Sequence, residues 1–590
     1  MVQQTQQRRT TSMPSICLLS VLQLLSTTLA FVPDVSSIIA RSSPHTAPTC
    51  IGSTCRHRAF SPLFASSSPS TTTTTPSLET LADEINTQID RLKPEFIKNC
   101  KVKVAPSASA AGHRLGLVAT DKIGKDSIAL SIPYDDQLVL TPDLASKNVL
   151  EGFLPEGYDG WTGDVGLLAM LVLNELARAD EGGEGDGGGG IALPKRKPEC
   201  QALISSWIKV LPSPDEMAAL HPLLWHEDAQ EILQGSSTKK IYRTLDDIEE
   251  DGTWLTERVW SADRTRFPES VTINGQSRPC FAVEGFAWAV AVASSRSNFV
   301  DGSLRIIPFM DLANHADLGT EEVRGGTMGT FGTTKGAEIR TASTKTYAVG
   351  DEVFVNYGPK SAAEYLLEHG FIPKQARTTA VSELTFEVDP EDRFYDDKLD
   401  ILEFETYDSA PMEPLQSFDV VHEPGGDGEP DPAIMQFLRL VKLGAKDAFL
   451  LESIFRKEVW EFMGLPMSER NERGVVEEIE AACAKALEEM DAIEKGAGIE
   501  KSSAAEDEDD TSPEGLCAVV REAERKALKR TSEYMQRERE ALDLKEYYQE
   551  RRLKDLGLDS EWDPESDLGL DDGELNYGQT RLPGGGDLDW

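Results

Sequence analysis

The sequence predicts an α+β protein with a strand-rich first part that contains a helical insertion, followed by an all-helical second part. Three observations support this fold class. Brief strand-type runs occur near the start, LGLVATDKI from Leu115 and SIALSIP from Ser127. Between residues 165 and about 280 the apolar residues recur at helical spacing. Beyond Gly370 one strand-like run, SELTFEV, precedes long helical patterns at 434–460 and 475–554.

The ordered protein is expected to begin near Ser77. The segment SLETLADEINTQI offers a serine suited to a helix N-cap, acidic residues in the first turn and apolar residues at helical spacing. The two strand-type runs that follow are separated by Gly124-Lys125-Asp126, which predicts a small antiparallel sheet. Within the helical insertion, residues 180–190 are rich in Gly and Glu and predict a solvated loop.

Composition excludes several classes of protein. A chain of 590 residues is long enough for two or three domains that need no disulfide bonds. The net charge of -42 argues against a nucleic-acid partner, which requires clustered Lys and Arg. The eight cysteines form no CxxC groups, so we predict no metal site, and free thiols are the expected state.

The first 76 residues have the composition of a targeting sequence. Arg8 and Arg9 precede an apolar stretch at 16–29 that ends in small residues, which predicts a signal peptide at 1–30. Residues 35–78 contain no Asp or Glu, which predicts a transit-like segment at 31–76. This order resembles the bipartite presequence of algae with secondary plastids and implies import into the plastid stroma, with no membrane segment in the mature form. Secretion, with the Ser/Thr tract as a stalk, is the alternative.

Two motifs predict that polar groups gather at the ends of strands. RIIPFMDLANHA, from Arg305, ends an apolar run in Asp311, Asn314 and His315. About forty residues later a second apolar run delivers Tyr357-Gly358 before a helical pattern at 362–367. Taken alone, an Asn-His pair after a strand is more often a hydrogen-bonded turn than a ligand site.

The combination of these motifs closely resembles the SET domain of protein lysine methyltransferases. The segments DRFYDDKLDILE, KDAFLLESIF and LKEYYQERRLKDLGL further resemble the Rubisco large-subunit methyltransferases, so the likeness runs from about Leu115 to Leu558. It implies a SET domain at 77–375 with a helical insert at about 165–280, and a helical substrate-binding domain at 376–558. We expect the acidic tail at 559–590 to be disordered.

The resemblance implies a protein-lysine N-methyltransferase that uses S-adenosylmethionine. Tyr357 is the implied catalytic residue, which orients the amine and lines the channel beside the cationic sulfonium. The implied cofactor-binding residues are His113, Leu115, Gly116, Asn314 and His315. The implied substrate-binding residues are Arg296, Asp311 and His369. The family usually has Gly-x-Gly in the first cofactor loop, whereas Arg114 occupies the first glycine position here and His113 the acidic position before it.

A second departure is His369, because the plant Rubisco enzymes carry a tyrosine there. The change either alters the substrate or the number of methyl groups added, or it leaves a neutral hydrogen-bonded spacer. The implied client is Rubisco large subunit or plastid aldolase, bound by a monomer. Two other functions remain open: a protein-histidine methyltransferase that uses the same site, and a catalytically silent protein-binding module. A small non-protein amine is a further possible substrate.

Overall fold

The computed structural model describes residues 76–93, 96–107, 114–149, 160, 162–180, 196–316, 322–328, 334–404, 412–452, 459–496 and 511–555. The predicted signal peptide, nearly all of the transit-like segment, most of the Gly/Glu-rich loop and the acidic tail lie outside these residues. The chain divides into two compact units. The first comprises the described parts of 1–379 and 493–523, and the second those of 380–492 and 524–590.

The first unit opens with helix α1 (Leu78–Leu92), which begins at the predicted N-cap. The hydroxyl of Ser77 accepts a hydrogen bond from the backbone N–H of Thr80 at 3.3 Å. The apolar residues at helical spacing form a buried face, which includes Leu81, Ile85 and Ile89. This local chemistry is sufficient to predict the helix, because a satisfied cap and one apolar stripe are both encoded within a few turns.

The strands of the first unit form small antiparallel sheets. The first sheet contains β1 (Val102–Pro106), β2 (Leu115–Ala119) and β10 (Glu352–Val353) in that order. The other strands of this unit are β3 (Ile128–Pro133), β4 (Ser270–Ile273), β5 (Gln276–Pro279), β6 (Ser297–Val300), β7 (Ser303–Ile306), β8 (Glu322–Met328) and β9 (Thr334–Arg340). The second sheet has the order β3-β9-β8, and two hairpins are formed by β4-β5 and by β6-β7.

Both runs that predicted an antiparallel sheet form strands, β2 and β3, but they do not pair with each other. β2 pairs with β1 and β10, whereas β3 pairs with β9. Between them the chain turns at Asp126, whose φ is 51°. The pattern of apolar residues indicates which face of a strand is buried, but it does not determine which other strand pairs with it. Closeness in the sequence is therefore a poor guide to pairing.

The chain between Gly163 and Arg258 is mainly helical, as the spacing of its apolar residues predicts. The helices of the first unit after α1 are α2 (Pro142–Leu144), α3 (Gly163–Arg178), α4 (Pro198–Val210), α5 (Pro214–Ala218), α6 (Glu227–Glu231), α7 (Ile241–Arg258), α8 (Val283–Arg296), α9 (Ala362–His369) and α10 (Lys374–Thr378). Helix α8 is buried on all sides from Gly285 to Ala293. A Cβ at Gly285 would lie 1.8 Å from the carbonyl oxygen of Cys280, so this close approach requires glycine.

The second unit combines a β-ribbon with helices. The predicted SELTFEV strand is confirmed as β11 (Ala380–Glu387), and it pairs with β12 (Leu415–His422), which the sequence did not predict. Helix α11 (Tyr395–Phe404) lies outside the predicted helical stretches. Those stretches are divided into shorter helices: α12 (Pro432–Val441), α13 (Val459–Phe462), α14 (Glu469–Gly496), α15 (Pro513–Glu540) and α16 (Tyr548–Asp555). The end of α14 and the start of α15 belong to the first unit. Among the described residues, no helix is both long enough and apolar enough to cross a membrane.

A buried ion pair connects α12 to α14. Arg439 donates from Nε to Glu472 Oε1 at 2.6 Å and from Nη2 to Oε2 at 3.0 Å. A third hydrogen bond runs from Nη1 to the carbonyl of Met463 at 3.0 Å. Both side chains are at least 93% buried, with exposures of 7% and 1%. The guanidinium is therefore held without water and depends on Glu472 for its counter-charge.

We expect the substitution Glu472→Gln to destabilise the α12–α14 contact by about 3 kcal/mol, because it leaves the Arg439 charge buried without a carboxylate. Amides that open with this contact should then exchange about a hundredfold faster in hydrogen–deuterium exchange. The matched control is Glu469→Gln, which breaks the exposed pair between Glu469 and Arg473. Equal exchange rates in the two variants would contradict the role assigned to the buried pair.

Candidate active site

Two backbone hydrogen bonds join the motifs that the sequence separates. The N–H of Val355 donates to the carbonyl of Asn314 at 2.9 Å, and the N–H of Ala316 donates to the carbonyl of Val355 at 3.1 Å. His315 and Val355 thus form an isolated parallel bridge. The bridge places His315 beside Tyr357, two residues past the end of the second run. The predicted convergence of the two motifs is present in the structure.

Tyr357 is held by hydrogen bonds at its backbone and its hydroxyl. Its N–H donates to Nδ1 of His315 at 3.2 Å, and its hydroxyl donates to the carbonyl of Ala313 at 2.9 Å. Burial raises the pKa of Tyr357 to about 12, an effect that Arg296 opposes and Asp311 reinforces. The side chain is therefore a neutral phenol throughout the physiological range.

An aromatic cluster surrounds Tyr357. Its members are His315, Tyr357, Tyr365, His369 and Phe371. The centroid of the Tyr357 ring lies 5.2 Å from that of His315, 4.8 Å from that of His369 and 6.3 Å from that of Phe371. Helix α9 supplies Tyr365 and His369, and Tyr365 donates its hydroxyl to the carbonyl of Gly358 at 2.7 Å. The rings create a partly dry environment that disfavours charge on small groups within it.

Asn314 and Gly116 meet at a shared carboxylate. Nδ2 of Asn314 donates to the carbonyl of Leu115 at 3.1 Å and to Oε1 of Glu352 at 2.7 Å. Ser107 donates its hydroxyl to the same carboxylate at 2.9 Å. A Cβ at Gly116 would lie 2.3 Å from Oε1 of Glu352, so the missing side chain makes room for the carboxylate and amide. Four of the five predicted cofactor-site residues therefore lie in one region.

His113, the fifth of those residues, lies outside the described residues. Its neighbour Arg114 donates from Nη1 to Oε2 of Glu216 at 2.7 Å. Glu216 also accepts the backbone N–H of Ser213, as part of the capping box of α5. The arginine at the first glycine position thus forms an ion pair with the helical insertion.

Arg296 and Asp311 form the predicted pair, with Trp207 as a third member. Nη1 of Arg296 lies 3.1 Å from Oδ2 of Asp311, and the indole N–H of Trp207 donates to the same carboxylate at 2.9 Å. Asp311 is fully buried, and burial raises its pKa against the opposing effects of Arg296 and Trp207. The preceding Phe309 has a φ of 79°, a strained conformation for a residue with a Cβ that costs on the order of 1–3 kcal/mol.

His369, a member of the aromatic cluster, also faces polar groups outside the cluster. Its Nδ1 lies 3.3 Å from the carbonyl of Ser295, and its Nε2 lies 3.8 Å from Oε2 of Glu368. The same carboxylate oxygen is 2.7 Å from Nζ of Lys360. Burial, reinforced by the positive charge of Lys360, holds the pKa of His369 well below its usual range. His369 is consequently a neutral imidazole.

Several residues of this site were missed by the sequence interpretation. No local sequence pattern marks the side chains of Glu352 and Trp207 as partners of Asn314 and Asp311. Tyr365 carries a usable signal, because it lies in a predicted helix, four residues before His369, and residues at that spacing share a face. Among the described residues, no group of three His, Cys, Asp or Glu side chains is arranged to hold a metal ion.

Comparisons with known proteins agree with this geometry. The family described as Rubisco LSMT substrate-binding matches residues 389–528. The ribulose-1,5-bisphosphate carboxylase/oxygenase large subunit N-methyltransferase, chloroplastic, of Nicotiana tabacum is 30% identical over 489 residues, which are 80% of this chain and 86% of the relative. The fructose-bisphosphate aldolase-lysine N-methyltransferase, chloroplastic, of Arabidopsis thaliana is 28% identical over 479 residues, 79% of this chain and 86% of the relative.

Solved structures show the same relationship. The SET domain of LSMT bound to lysine and AdoHcy matches with a TM-score of 0.62 and 25% identity, over 84% of this chain and 99% of that one. Rubisco LSMT bound to AdoMet matches with a TM-score of 0.59 and 25% identity, over 81% and 97%. The fold and the site define a SET-domain methyltransferase with a helical C-terminal domain. The chain belongs to the Rubisco large-subunit N-methyltransferase family.

The buried histidine His221 predicts that the stability of the protein depends on pH. His221 is fully buried, with Nε2 3.1 Å from the carbonyl of Glu368, and burial lowers its pKa from 6.5 to about 4. The unfolded state therefore binds the proton more tightly. The stability that the neutral ring contributes is complete above about pH 6.5 and is lost as the pH falls towards 4, by about 3 kcal/mol in total.

The variant His221→Gln keeps a hydrogen-bond donor at this position but has no group that titrates. Between pH 7 and pH 4 its free energy of unfolding should fall by about 3 kcal/mol less than that of the wild type, as measured by urea unfolding. The control is His226→Gln, at an exposed histidine of the same unit. If wild type and His221→Gln show parallel pH profiles, the buried neutral state of His221 is refuted.

Proposed function

We propose that this chain transfers methyl groups from S-adenosylmethionine to lysine side chains of a plastid protein, with Tyr357 as the catalytic residue. The observation that carries the proposal is the bridge between His315 and Val355, because it sets a partly buried, neutral tyrosine beside the Asn-His motif. The enzyme class is that of the family. The residue roles are inferred from the contacts described above.

We assign Leu115, Gly116, Asn314 and His315 to the cofactor. The region fits such a ligand, because Gly116 lets the Glu352 carboxylate and the Asn314 amide approach the backbone, and Asn314 is 93% buried with its amide directed to a backbone carbonyl. When bound, S-adenosylmethionine supplies an electrophilic methyl group on a cationic sulfonium. Asn314 and the backbone of Leu115 would hold the nucleoside portion, and the aromatic faces nearby favour the positive charge through cation–π attraction.

Tyr357 acts by position and not as a base. Because its pKa is raised to about 12, the hydroxyl keeps its proton and donates a hydrogen bond to the carbonyl of Ala313. That bond orients the oxygen lone pairs, which remain able to accept a hydrogen bond from an incoming amine. Alignment of the amine with the methyl group is the main requirement of an in-line displacement.

The surrounding residues prepare the amine. A lysine side chain has a pKa of about 10.4 in water, and transfer into the aromatic cluster lowers that value by desolvation, so that the free amine becomes available. Arg296 and Asp311 neutralise each other at 3.1 Å, and Trp207 fixes the carboxylate. We assign this pair to the substrate entrance, and we assign His369 to the wall of the channel beside Tyr357.

The client is proposed from the relatives and from charge. The relatives are named for Rubisco large subunit and for fructose-bisphosphate aldolase, and both are chloroplastic. A net charge of -42 suits a neutral or basic protein surface better than an acidic one. We therefore propose a stromal client, Rubisco large subunit or aldolase, bound by a monomeric enzyme that reaches the plastid through the signal and transit segments.

A second candidate function is protein-histidine methylation at the same site. The observation that favours it is His369, a neutral imidazole 4.8 Å from Tyr357 where the plant enzymes carry a tyrosine. A neutral imidazole is also the form of a histidine substrate that is nucleophilic. The chemical identity of the methylated residue separates the two functions.

The variant Tyr357→Phe should lower kcat by at least about a hundredfold, because it keeps the ring and removes the oxygen that positions the amine. The assay is transfer of labelled methyl from S-adenosylmethionine into a stromal extract by the protein from Ser77 onward, with the modified residue mapped by mass spectrometry. Tyr365→Phe is the matched control, since its hydroxyl is bonded to the carbonyl of Gly358.

Methyl-lysine that depends on Tyr357 supports the lysine methyltransferase and names its client. Methyl-histidine that persists when substrate lysines are replaced by arginine would establish the second candidate. If no label is transferred and the protein still captures a stromal partner, the catalytically silent binding module replaces both.

The variant Gly116→Ala should weaken binding of S-adenosylmethionine at least about tenfold, because its Cβ would displace Glu352 and with it the amide of Asn314. Isothermal titration calorimetry measures the effect directly. The matched control is Gly124→Ala, whose Cβ would meet only the hydroxyl of Ser127 at 3.3 Å. Equal affinities in the two variants would remove Gly116 from the cofactor site.

A further inference from the structure

Lys360, Glu368 and His369 form a chain of close side-chain contacts at one side of the aromatic cluster, to which His369 belongs. Nζ of Lys360 is 2.7 Å from Oε2 of Glu368, and the same oxygen is 3.8 Å from Nε2 of His369. The side chains of Lys360, Glu368 and His369 are only 13%, 11% and 8% exposed. Solvent screening is weak at such burial, so the partner that Glu368 takes decides where the positive charge lies.

The proton on His369 can be located from its contacts. Nδ1 faces the carbonyl of Ser295 at 3.3 Å, and a carbonyl oxygen only accepts, so Nδ1 carries the hydrogen. Nε2 is buried and makes no hydrogen bond within the described part of the chain. It is therefore the position that a second proton would take, and Glu368 is the carboxylate nearest to it.

We infer that Lys360 is a positioning residue that engages Glu368 as its counter-ion and thereby keeps His369 neutral for methyl transfer. This inference rests on the proposed function. Without the ammonium group, Glu368 would lose its partner at 2.7 Å, and protonation of Nε2 of His369, 3.8 Å from the same oxygen, would form a new ion pair. A positive charge would then stand in a ring whose centroid is 4.8 Å from that of Tyr357.

Such a charge opposes the reaction. The proposed site receives a cationic sulfonium, and an imidazolium beside Tyr357 would repel both that charge and the positive charge that develops on the amine during methyl transfer. Lys360 itself is a smaller obstacle, because its charge is compensated by Glu368 at 2.7 Å. The paired charges of Lys360 and Glu368 therefore lie beside His369, and the imidazole ring of His369 stays uncharged.

The other titratable groups near His369 do not replace Glu368. Across the ring lie His221 and His315, whose charged forms would both oppose a proton on His369. Tyr365, on the same helix, donates its hydroxyl to the carbonyl of Gly358, and Tyr357 donates its own to that of Ala313. On the side of Tyr357, Asp311 is paired with Arg296.

The test compares Lys360→Met with the wild type in two measurements. The first follows the titration of His369 by NMR in the protein labelled with ¹³C-histidine, with His369→Gln used to assign the signal. The second is the pH profile of kcat/KM for methyl transfer. In Lys360→Met the pKa of His369 should rise, because a positive charge that opposes its protonation is removed. The value of kcat/KM should then fall about tenfold between pH 8 and pH 6, beyond any change in the wild type.

Two control variants separate charge from packing. Lys360→Arg keeps the positive charge and should retain the wild-type titration and pH profile. The double variant Lys360→Met with Glu368→Gln removes both charges, so His369 should again resist protonation and the acid loss of activity should disappear. A purely structural role for Lys360 would give equal losses at all pH values and no recovery in the double variant, and that result would overturn the inference.

The NMR measurement needs no substrate, which separates the two proposals. An unchanged titration of His369 in Lys360→Met overturns the role of Lys360 whatever the activity. A shifted titration supports that role even if the wild-type protein labels no stromal lysine, a result that would count against the proposed function alone.

Discussion

Two hydrogen bonds between Val355 and the backbone at residues 314–316 are the contact on which the whole site depends. They hold side by side two segments that each arrive from a different sheet or hairpin. Val353 lies on β10, which pairs with β2 and so brings Leu115 and Gly116 near. Arg305 and Ile306 lie on β7, which pairs with the strand that follows Arg296. Through this one junction the residues proposed to bind the cofactor, Tyr357 and the Arg296–Asp311 pair are brought into one region.

The electrostatics of the site follow from burial. Tyr357 and His369 are both kept neutral, one by a raised and the other by a lowered pKa, while the nearby charges occur as pairs: Arg296 with Asp311, and Lys360 with Glu368. A methyl donor that carries a positive charge is best received by polar but uncharged groups and aromatic faces. The protein thus keeps the full charges near the aromatic side chains compensated in pairs.

Much of the architecture could be predicted because it depends on local chemistry. The N-cap at Ser77 and the amphipathic face of α1 are encoded within a few turns, and the Asn-His and Tyr-Gly motifs are short enough to be recognised by resemblance. The partners across space could not be predicted in the same way. Trp207 and Asp311 are 104 residues apart, and Asn314 and Leu115 are 199 residues apart, and no periodicity links such positions. The pairing of β2 and β3 with distant strands has the same cause.

The long reach of these contacts has a kinetic consequence. The region around Gly116 and Asn314 closes only after β2, β10 and the segment leading to Asn314 have met, and each meeting carries the entropy cost of a large loop. Local helices such as α1 need no such closure. In this order of folding, local helices form early and the proposed cofactor region forms late, so a gain of affinity for S-adenosylmethionine would report a late step in the folding of the first unit.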